Sequence, residues 1–367
     1  MTPHTKAKHV VLDKYLKGWF PILSSIRGRI IYLDGFAGSG QYDNGSIGSP
    51  IIALEIAKNH LLKLPSEIVF IFIEKDDRRA GHLERLLDEK YSRVSSEKGK
   101  YRHLPENFKV YTNHGEFNSV MDSVLTVLEK QGERLAPTFA FVDPFGYLDI
   151  NTNILGRILK FPKCELLITY MVGFLDRFAF DDSHRKSIRA LFSLENSDID
   201  RIISISDKES REKEWLRLLT DNLTKSSDTT PYHLDFRVVN RLNQTMYYLV
   251  YFTKSIDGIR VMKEAMWKVG REGEYLFSDF NFVPGQISIL DYIGEIWIDQ
   301  AADKVKERFS GQTIDLSEIE GYVLVETPFK WRKGILKNLE DRNLITVTEP
   351  RIRRKGTFPD GSRIKFY

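Results

Sequence analysis

The sequence predicts a doubly wound α/β fold followed by a smaller helical module, on three observations. Short apolar runs ending in an acid or a glycine turn alternate with helical stretches from residue 29 to residue 170, the pattern of a mainly parallel sheet with helices on both faces. At 367 residues the chain exceeds the usual size of one core, so two domains are expected. The basic charge also gathers at one end. Residues 329 to 367 hold 11 Lys and Arg against four Asp and Glu, a surplus of seven that leaves −4 for everything before them in a chain of net charge +3. A basic appendix on a catalytic domain fits this distribution.

In order along the chain, residues 5 to 27 read as an amphipathic helix, since Val11, Leu12, Tyr15, Leu16, Trp19 and Phe20 recur at three- and four-residue spacing until Pro21 and Gly28 close it. Arg29 to Asp34 is a buried strand that runs into glycines. Ser49-Pro50 opens a helix over Ile51 to Leu62, and Glu67 to Ile73 is a second buried strand ending at Glu74. The alternation continues with helix 79 to 91, a strand near Phe108 to Tyr111, helix 117 to 131, strand Thr138 to Val142, helix 151 to 160 and strand Glu165 to Tyr170. Residues 180 to 225 are polar and helical in tendency. Phe236 to Asn240 and Met246 to Thr253 flank a turn as two strands, and Gly258 to Lys268 reads as a helix. Residues 270 to 290 carry Gly270, Gly273, Pro284 and Gly285, which is linker chemistry. The expected domains are therefore 1 to 275 and 285 to 367. The second holds helices over Ile287 to Phe309, Leu316 to Glu320 and Lys330 to Asn343, then strands Ile345 to Thr348 and Ser362 to Tyr367 around a charged wing. Three helices and a basic hairpin describe a winged helix-turn-helix.

An apolar fraction of 42% and an aromatic fraction of 12% exclude wholesale disorder. The single cysteine, Cys164, lies inside an apolar run and excludes an intrachain disulfide or a multi-cysteine metal site. His4 and His9 lack a third ligand at metal spacing, so no metal site is expected. The opening residues have no signal-peptide core and no stretch of about 18 apolar residues occurs, which predicts a soluble, cytoplasmic protein with no membrane partner.

Three segments carry chemistry. In Tyr32-Leu33-Asp34-Gly35-Phe36-Ala37-Gly38-Ser39-Gly40-Gln41-Tyr42, glycines after a buried strand let backbone approach a ligand at the edge where α/β sheets bind them. The spacing is neither that of a phosphate loop nor that of a dinucleotide fingerprint, and alone the turn has a purely structural reading too. The second segment ends at Glu74, about 40 residues on, where a carboxylate can accept both hydroxyls of a ribose. In Phe141-Val142-Asp143-Pro144-Phe145-Gly146-Tyr147, an acid that accepts hydrogen bonds from an exocyclic amine stands beside a ring that can stack on an extruded base. The plain alternative is a Pro-Gly turn with an exposed acid.

In this order the three segments resemble the adenine N6-methyltransferases, whose glycine motif reads like Phe-Ala-Gly-Ser-Gly and whose catalytic motif is Asp-Pro-Pro-aromatic. The likeness extends to the bacterial ribosomal RNA adenine methyltransferases through Ala7-Lys8-His9, the Tyr32 to Tyr42 stretch and Gly48-Ser49-Pro50. The full length is similar to the three-Cys-motif partner proteins (TcmP), through His4-Thr5, Lys8-His9, Tyr15-Leu16-x-x-Trp19, Asp34 to Gly40, Phe141 to Gly146, Met262-Lys263-x-Ala265-Met266-Trp267 and the C-terminal module.

The resemblance implies a Rossmann-like methyltransferase sheet that takes S-adenosylmethionine. Lys8, His9, Asp34, Gly35, Phe36, Ala37, Gly38, Ser39, Gly40, Ser49, Pro50 and Glu74 would line its pocket, and Glu116 would sit near the cofactor adenine. Asp143, Pro144, Phe145 and Tyr147 would form the catalytic motif, with Asp143 orienting the adenine amine and Phe145 or Tyr147 stacking on the base. The motif's second proline is replaced by Phe145 here, and the aromatic residue is displaced along the chain. A nearby-encoded three-Cys-motif protein is the implied protein partner. Lys330, Arg332, Lys333 and Lys337 on the expected recognition helix, with Arg351, Arg353, Arg354 and Lys355 on the wing, would neutralise RNA or DNA phosphates; protein docking or a solvated basic face are the alternatives for that surface. Against methyl transfer to adenine stand a non-catalytic nucleic-acid-binding or partner protein built on the same scaffold, and methylation of another substrate.

Overall fold

The computed structural model describes residues 3–146, 150–192, 194–270, 276–278, 296–350 and 352–367. Its large sheet is built from β1 (Arg29–Asp34), β2 (Glu67–Glu74), β3 (Phe108–His114), β4 (Thr138–Val142), β5 (Glu165–Tyr170), β6 (Tyr232–Val239), β7 (Thr245–Thr253) and β8 (Leu276–Ser278), in the order β3-β2-β1-β4-β5-β7-β6-β8. The first five strands are parallel, β7 is antiparallel to β5 and to β6, and β8 lies parallel to β6. Strand order reverses between β1 and β4, and a reversal of that kind opens a crevice at the C-terminal ends of the two strands. The expected end of the first domain at 275 falls just short of β8, which adds an edge to this sheet.

Both faces are covered, which is why the central strands read as unbroken apolar runs. Along β1, Ile30 and Tyr32 enter one core while Ile31 and Leu33 enter the other. The first core is closed by α1 (Pro3–Ser24), α2 (Ser49–Lys58), α3 (Asp77–Tyr91) and α10 (Ile256–Trp267). The second is closed by α4 (Phe117–Gln131), α5 (Thr152–Lys160), α6 (Val172–Phe178), α7 (Asp182–Phe192), α8 (Asn196–Ile203) and α9 (Lys208–Ser227). Cys164 is buried in that second core. The helix expected over residues 5 to 27 runs from Pro3 to Ser24, with Pro21 inside its last turn. Proline removes the donor that would serve the Lys17 carbonyl, and His60 Nε2 supplies a replacement at 3.0 Å.

The C-terminal part comprises α11 (Ile296–Phe309), β9 (Thr313–Asp315), α12 (Leu316–Glu326), α13 (Gly334–Asp341), β10 (Ile345–Glu349) and β11 (Arg363–Phe366), its strands antiparallel in the order β10-β11-β9. The first core continues into it. The ring of Trp267 on α10 meets that of Trp297 edge-on at 5.3 Å, Arg260 pairs with Glu320 at 2.7 Å, and Arg332 pairs with Glu264 at 2.5 Å. The buried Lys263 ammonium donates to the carbonyls of Val323, Thr327 and Phe329. The expected helix over Lys330 to Asn343 is shorter at its start. Trp331 is buried and the Phe329 carbonyl is taken by Lys263, so Lys330, Arg332 and Lys333 precede α13 rather than riding on it. Of the proposed linker and first helix, 271 to 275 and 279 to 295 lie outside the described residues. Among the described residues no helix is long and apolar enough to cross a membrane.

Candidate functional site

The crevice at the strand reversal collects the residues singled out in the sequence. After β1 the chain crosses the sheet edge, with Gly35 N–H donating to the Phe141 carbonyl and Ala37 N–H to the Ile73 carbonyl, so one loop is tied to both neighbouring strands. Gly38 and Gly40 take left-handed φ values of +62° and +74°, which a side chain resists. At Gly40 a Cβ would also lie 2.6 Å from Leu83 Cδ1, whereas at Gly38 it would meet nothing within 4 Å, so the backbone there faces open space. Ser39 Oγ donates to the Gln41 carbonyl, and Phe36 packs its ring on Phe117 at 5.6 Å.

Two carboxylates shape this loop in different ways. Glu74 closes β2, is buried, and accepts from Gly38 N–H at 2.8 Å through Oε2 and from Asp76 N–H at 2.9 Å through Oε1. Each oxygen keeps spare acceptor capacity. Asp34 is fully buried under the loop, where it accepts from Phe36 N–H and from the side chains of Ser49 and Tyr32. From there it positions the turn. Burial pushes its carboxyl up to about 7, opposed by those hydrogen bonds and reinforced by the charge of Asp143. Pro50 occupies the first turn of α2, buried beside Ser49. Glu116 caps α4 just beyond β3 and is exposed; Gly115 N–H donates to the Glu74 carbonyl, so the two acids sit at adjacent strand ends.

The N-terminal helix supplies the other wall. Lys8 Nζ lies 2.6 Å from both oxygens of Asp143, a charge-assisted pair whose side chains are 10% and 21% exposed. His9 is buried, and burial together with the Lys8 charge lowers it to about 4, so its imidazole is neutral. Its Nδ1 has no hydrogen-bond partner among the described residues, which leaves it free to serve water or a ligand. Pro144 is buried, and Phe145 stands 60% exposed with the Arg79 guanidinium 4.5 Å from its ring. Tyr147 lies outside the described residues. Three side chains beyond the expected site residues complete the wall. Tyr42 has its ring 5.9 Å from that of His9, Tyr247 lies under Lys8 Nζ at 5.3 Å, and Arg79 covers Phe145. Tyr42 stood in the glycine stretch and was legible there; Tyr247 is some 240 residues from Lys8 and only the fold brings them together.

The basic residues of the C-terminal part do not form one free face. Arg332 is paired with Glu264, Lys333 with Asp360 at 3.4 Å and Lys355 with Asp341 at 3.7 Å, while Lys330 covers the rings of Trp267 and Trp297. Arg353 turns inward to Glu340, both nearly buried. Lys337 and Arg354 are exposed without an ion pair among the described residues, and Arg351 lies outside them. Among the described residues no group of three or more His, Cys, Asp or Glu could hold a metal ion.

No family model and no curated protein matches the chain. Solved structures do. Trm1 from Pyrococcus horikoshii, in complex with S-adenosyl-L-methionine, is 13% identical with a TM-score of 0.39, covering 74% of this chain, which spans only 60% of Trm1. The protein LPL1258 from Legionella pneumophila is 14% identical with a TM-score of 0.42, over 73% of this chain and 93% of its own. PKMT2 from Rickettsia typhi, in complex with AdoHcy, is 12% identical with a TM-score of 0.27, over 93% and 74%. Likeness at this level carries no argument about activity, and the residues themselves must supply one.

Proposed function

We propose that this chain is an S-adenosylmethionine-dependent methyltransferase acting on the exocyclic amine of adenine in RNA or DNA. The observation that carries the reading is a partly exposed carboxylate, Asp143, held by Lys8 at the strand reversal beside an exposed ring, Phe145, with the glycine loop on the neighbouring strand. The cofactor residues fit an adenosyl group bearing an amino acid. Glu74 has lone pairs for ribose hydroxyls, open space lies against Gly38, and His9 Nδ1 lacks a partner among the described residues. When bound, the cofactor supplies an electrophilic methyl group.

The chain's own residues do the remaining work. Lys8 holds both oxygens of Asp143 and fixes its plane, leaving two of about four acceptor positions for the amine hydrogens. An adenine amine is flattened by delocalisation into its ring, and hydrogen bonds to Asp143 favour the pyramidal form that presents a lone pair. Phe145 holds the base by stacking, a contribution of about 1–3 kcal/mol per base. The helix, strand, two-helix, hairpin order of the C-terminal part supports a winged-helix reading, with Lys337 and Arg354 as its phosphate contacts. The motif order along the full length supports kinship with the three-Cys-motif partner proteins and, through it, a nearby-encoded protein partner.

The test is transfer of labelled methyl groups to adenine-containing RNA and DNA by wild type and by Asp143→Ala. Loss of transfer with cofactor binding retained supports the proposal, and an Asp143→Ala variant that methylates fully sinks it. A second reading, a non-catalytic nucleic-acid-binding or partner protein, is favoured by Lys8 engaging both Asp143 oxygens. Cofactor binding without transfer to any nucleic acid, alongside a stable complex with a co-expressed protein, would select it.

A further inference from the structure

The first two turns of α3 follow Glu74 closely, and their side chains Arg78, Arg79 and His82 form one wall of an open polar cleft. The opposite wall is the loop containing Ser39, Gln41, Tyr42, Asp43 and Gly45, and the cleft measures about 520 Å³. Both arginines are exposed, and neither is ion-paired among the described residues. His82 Nδ1 lies 2.9 Å from the Ser39 carbonyl. A carbonyl only accepts, so this nitrogen carries the proton and ties the helix to the loop across the cleft floor. Asp43 is the one acid on the lining.

Arg79 joins this cleft to the carboxylate of the proposed methyl-transfer site. Its guanidinium covers the ring of Phe145, two residues beyond Asp143. An unpaired guanidinium has planar donors suited to phosphate oxygens and a flat face suited to rings. Resting on the adenine-methylation reading, we propose that this cleft binds the phosphodiester backbone of a single-stranded acceptor next to the target nucleotide, with Arg78 and Arg79 on phosphate oxygens and Arg79 against the Phe145 stack. The cleft takes more than a lone phosphate in volume, and Arg79 touches the ring on which the base would stack. An unpaired strand is required because a base must leave its helix to stack there.

The experiment measures binding of a labelled single-stranded adenine-containing oligonucleotide by fluorescence anisotropy between 50 and 200 mM KCl, for wild type and the Arg78→Ala, Arg79→Ala double variant. Thermal unfolding of both proteins reports folding. Each phosphate contact contributes about 0.7 to the slope of log affinity against log salt for single strands. The variant is expected to have a slope shallower by about 1.4 and an unchanged thermal unfolding midpoint. Equal slopes and affinities overturn the proposal, as does displacement of the strand from wild type by inorganic phosphate at matched ionic strength, which would mark a free-phosphate site. Strand binding with the shallower slope but no methyl transfer sinks the adenine reading and leaves the cleft standing. Methyl transfer and strand binding unaffected by the two alanines do the reverse.

Discussion

Replacing Asp34 by asparagine tests whether the buried carboxylate works from beneath the loop. Asn keeps the Oδ1 acceptor used by Phe36 N–H and the shape of the side chain. Burial raises the Asp34 carboxyl from an ordinary 3.8 to about 7, so between those values the folded protein holds a proton that the unfolded chain releases. Stability therefore falls as pH rises through this window, and the loss is complete above pH 7, where it amounts to about 4 kcal/mol at 1.36 kcal/mol per pKa unit. The asparagine variant escapes that loss. Relative to wild type it should gain roughly 2.5 kcal/mol between pH 5 and pH 8 in urea unfolding. An offset that is the same at both pH values, or one that favours wild type at the higher pH, would refute the placement of a protonatable carboxyl under the loop.

Gly40→Ala forces a left-handed residue against Leu83 Cδ1 and should cost about 1–3 kcal/mol in thermal unfolding, with weakened cofactor affinity; unchanged values for both would contradict the described turn. Lys263→Met strips buried carbonyls at the end of α12 of their donor and should lower stability by about 1–3 kcal/mol, with faster amide exchange in α12 as the local signature. Arg353→Ala leaves Glu340 with the Gly356 N–H but no ion-pair partner at close range and should destabilise by about 2 kcal/mol. Arg354→Ala should stay within about 0.5 kcal/mol of wild type yet weaken nucleic-acid binding, and the opposite ranking would overturn the assignment of one to structure and the other to contact.

The three central parallel strands were legible because helices cover both faces, so Ile30 to Leu33, Phe70 to Ile73 and Phe139 to Val142 carry no charged interruption. The glycine loop and the two strand-end acids were legible for the same reason: chemistry gathers where an apolar run stops. What local sequence does not carry is a partner supplied from a distance. Pro21 leaves the Lys17 carbonyl unserved until His60 takes it. The full burial of Asp34 is not legible in the strand-end motif, since Ser49 reaches it from the next helix. The Lys8–Asp143 pair joins residues 135 positions apart, and nothing near either residue announces the other. The basic tail reads as one charged surface because composition counts charges without their partners, whereas Glu264 and Glu340 each claim an arginine from it.

The most direct measurement is calorimetric titration of the purified protein with S-adenosylmethionine, beside a Glu74→Ala variant in which Gly38 N–H loses its acceptor. The account predicts micromolar binding by wild type, about −8 kcal/mol, that disappears in the variant. No heat of binding at millimolar ligand, or a variant that binds as tightly as wild type, would contradict it.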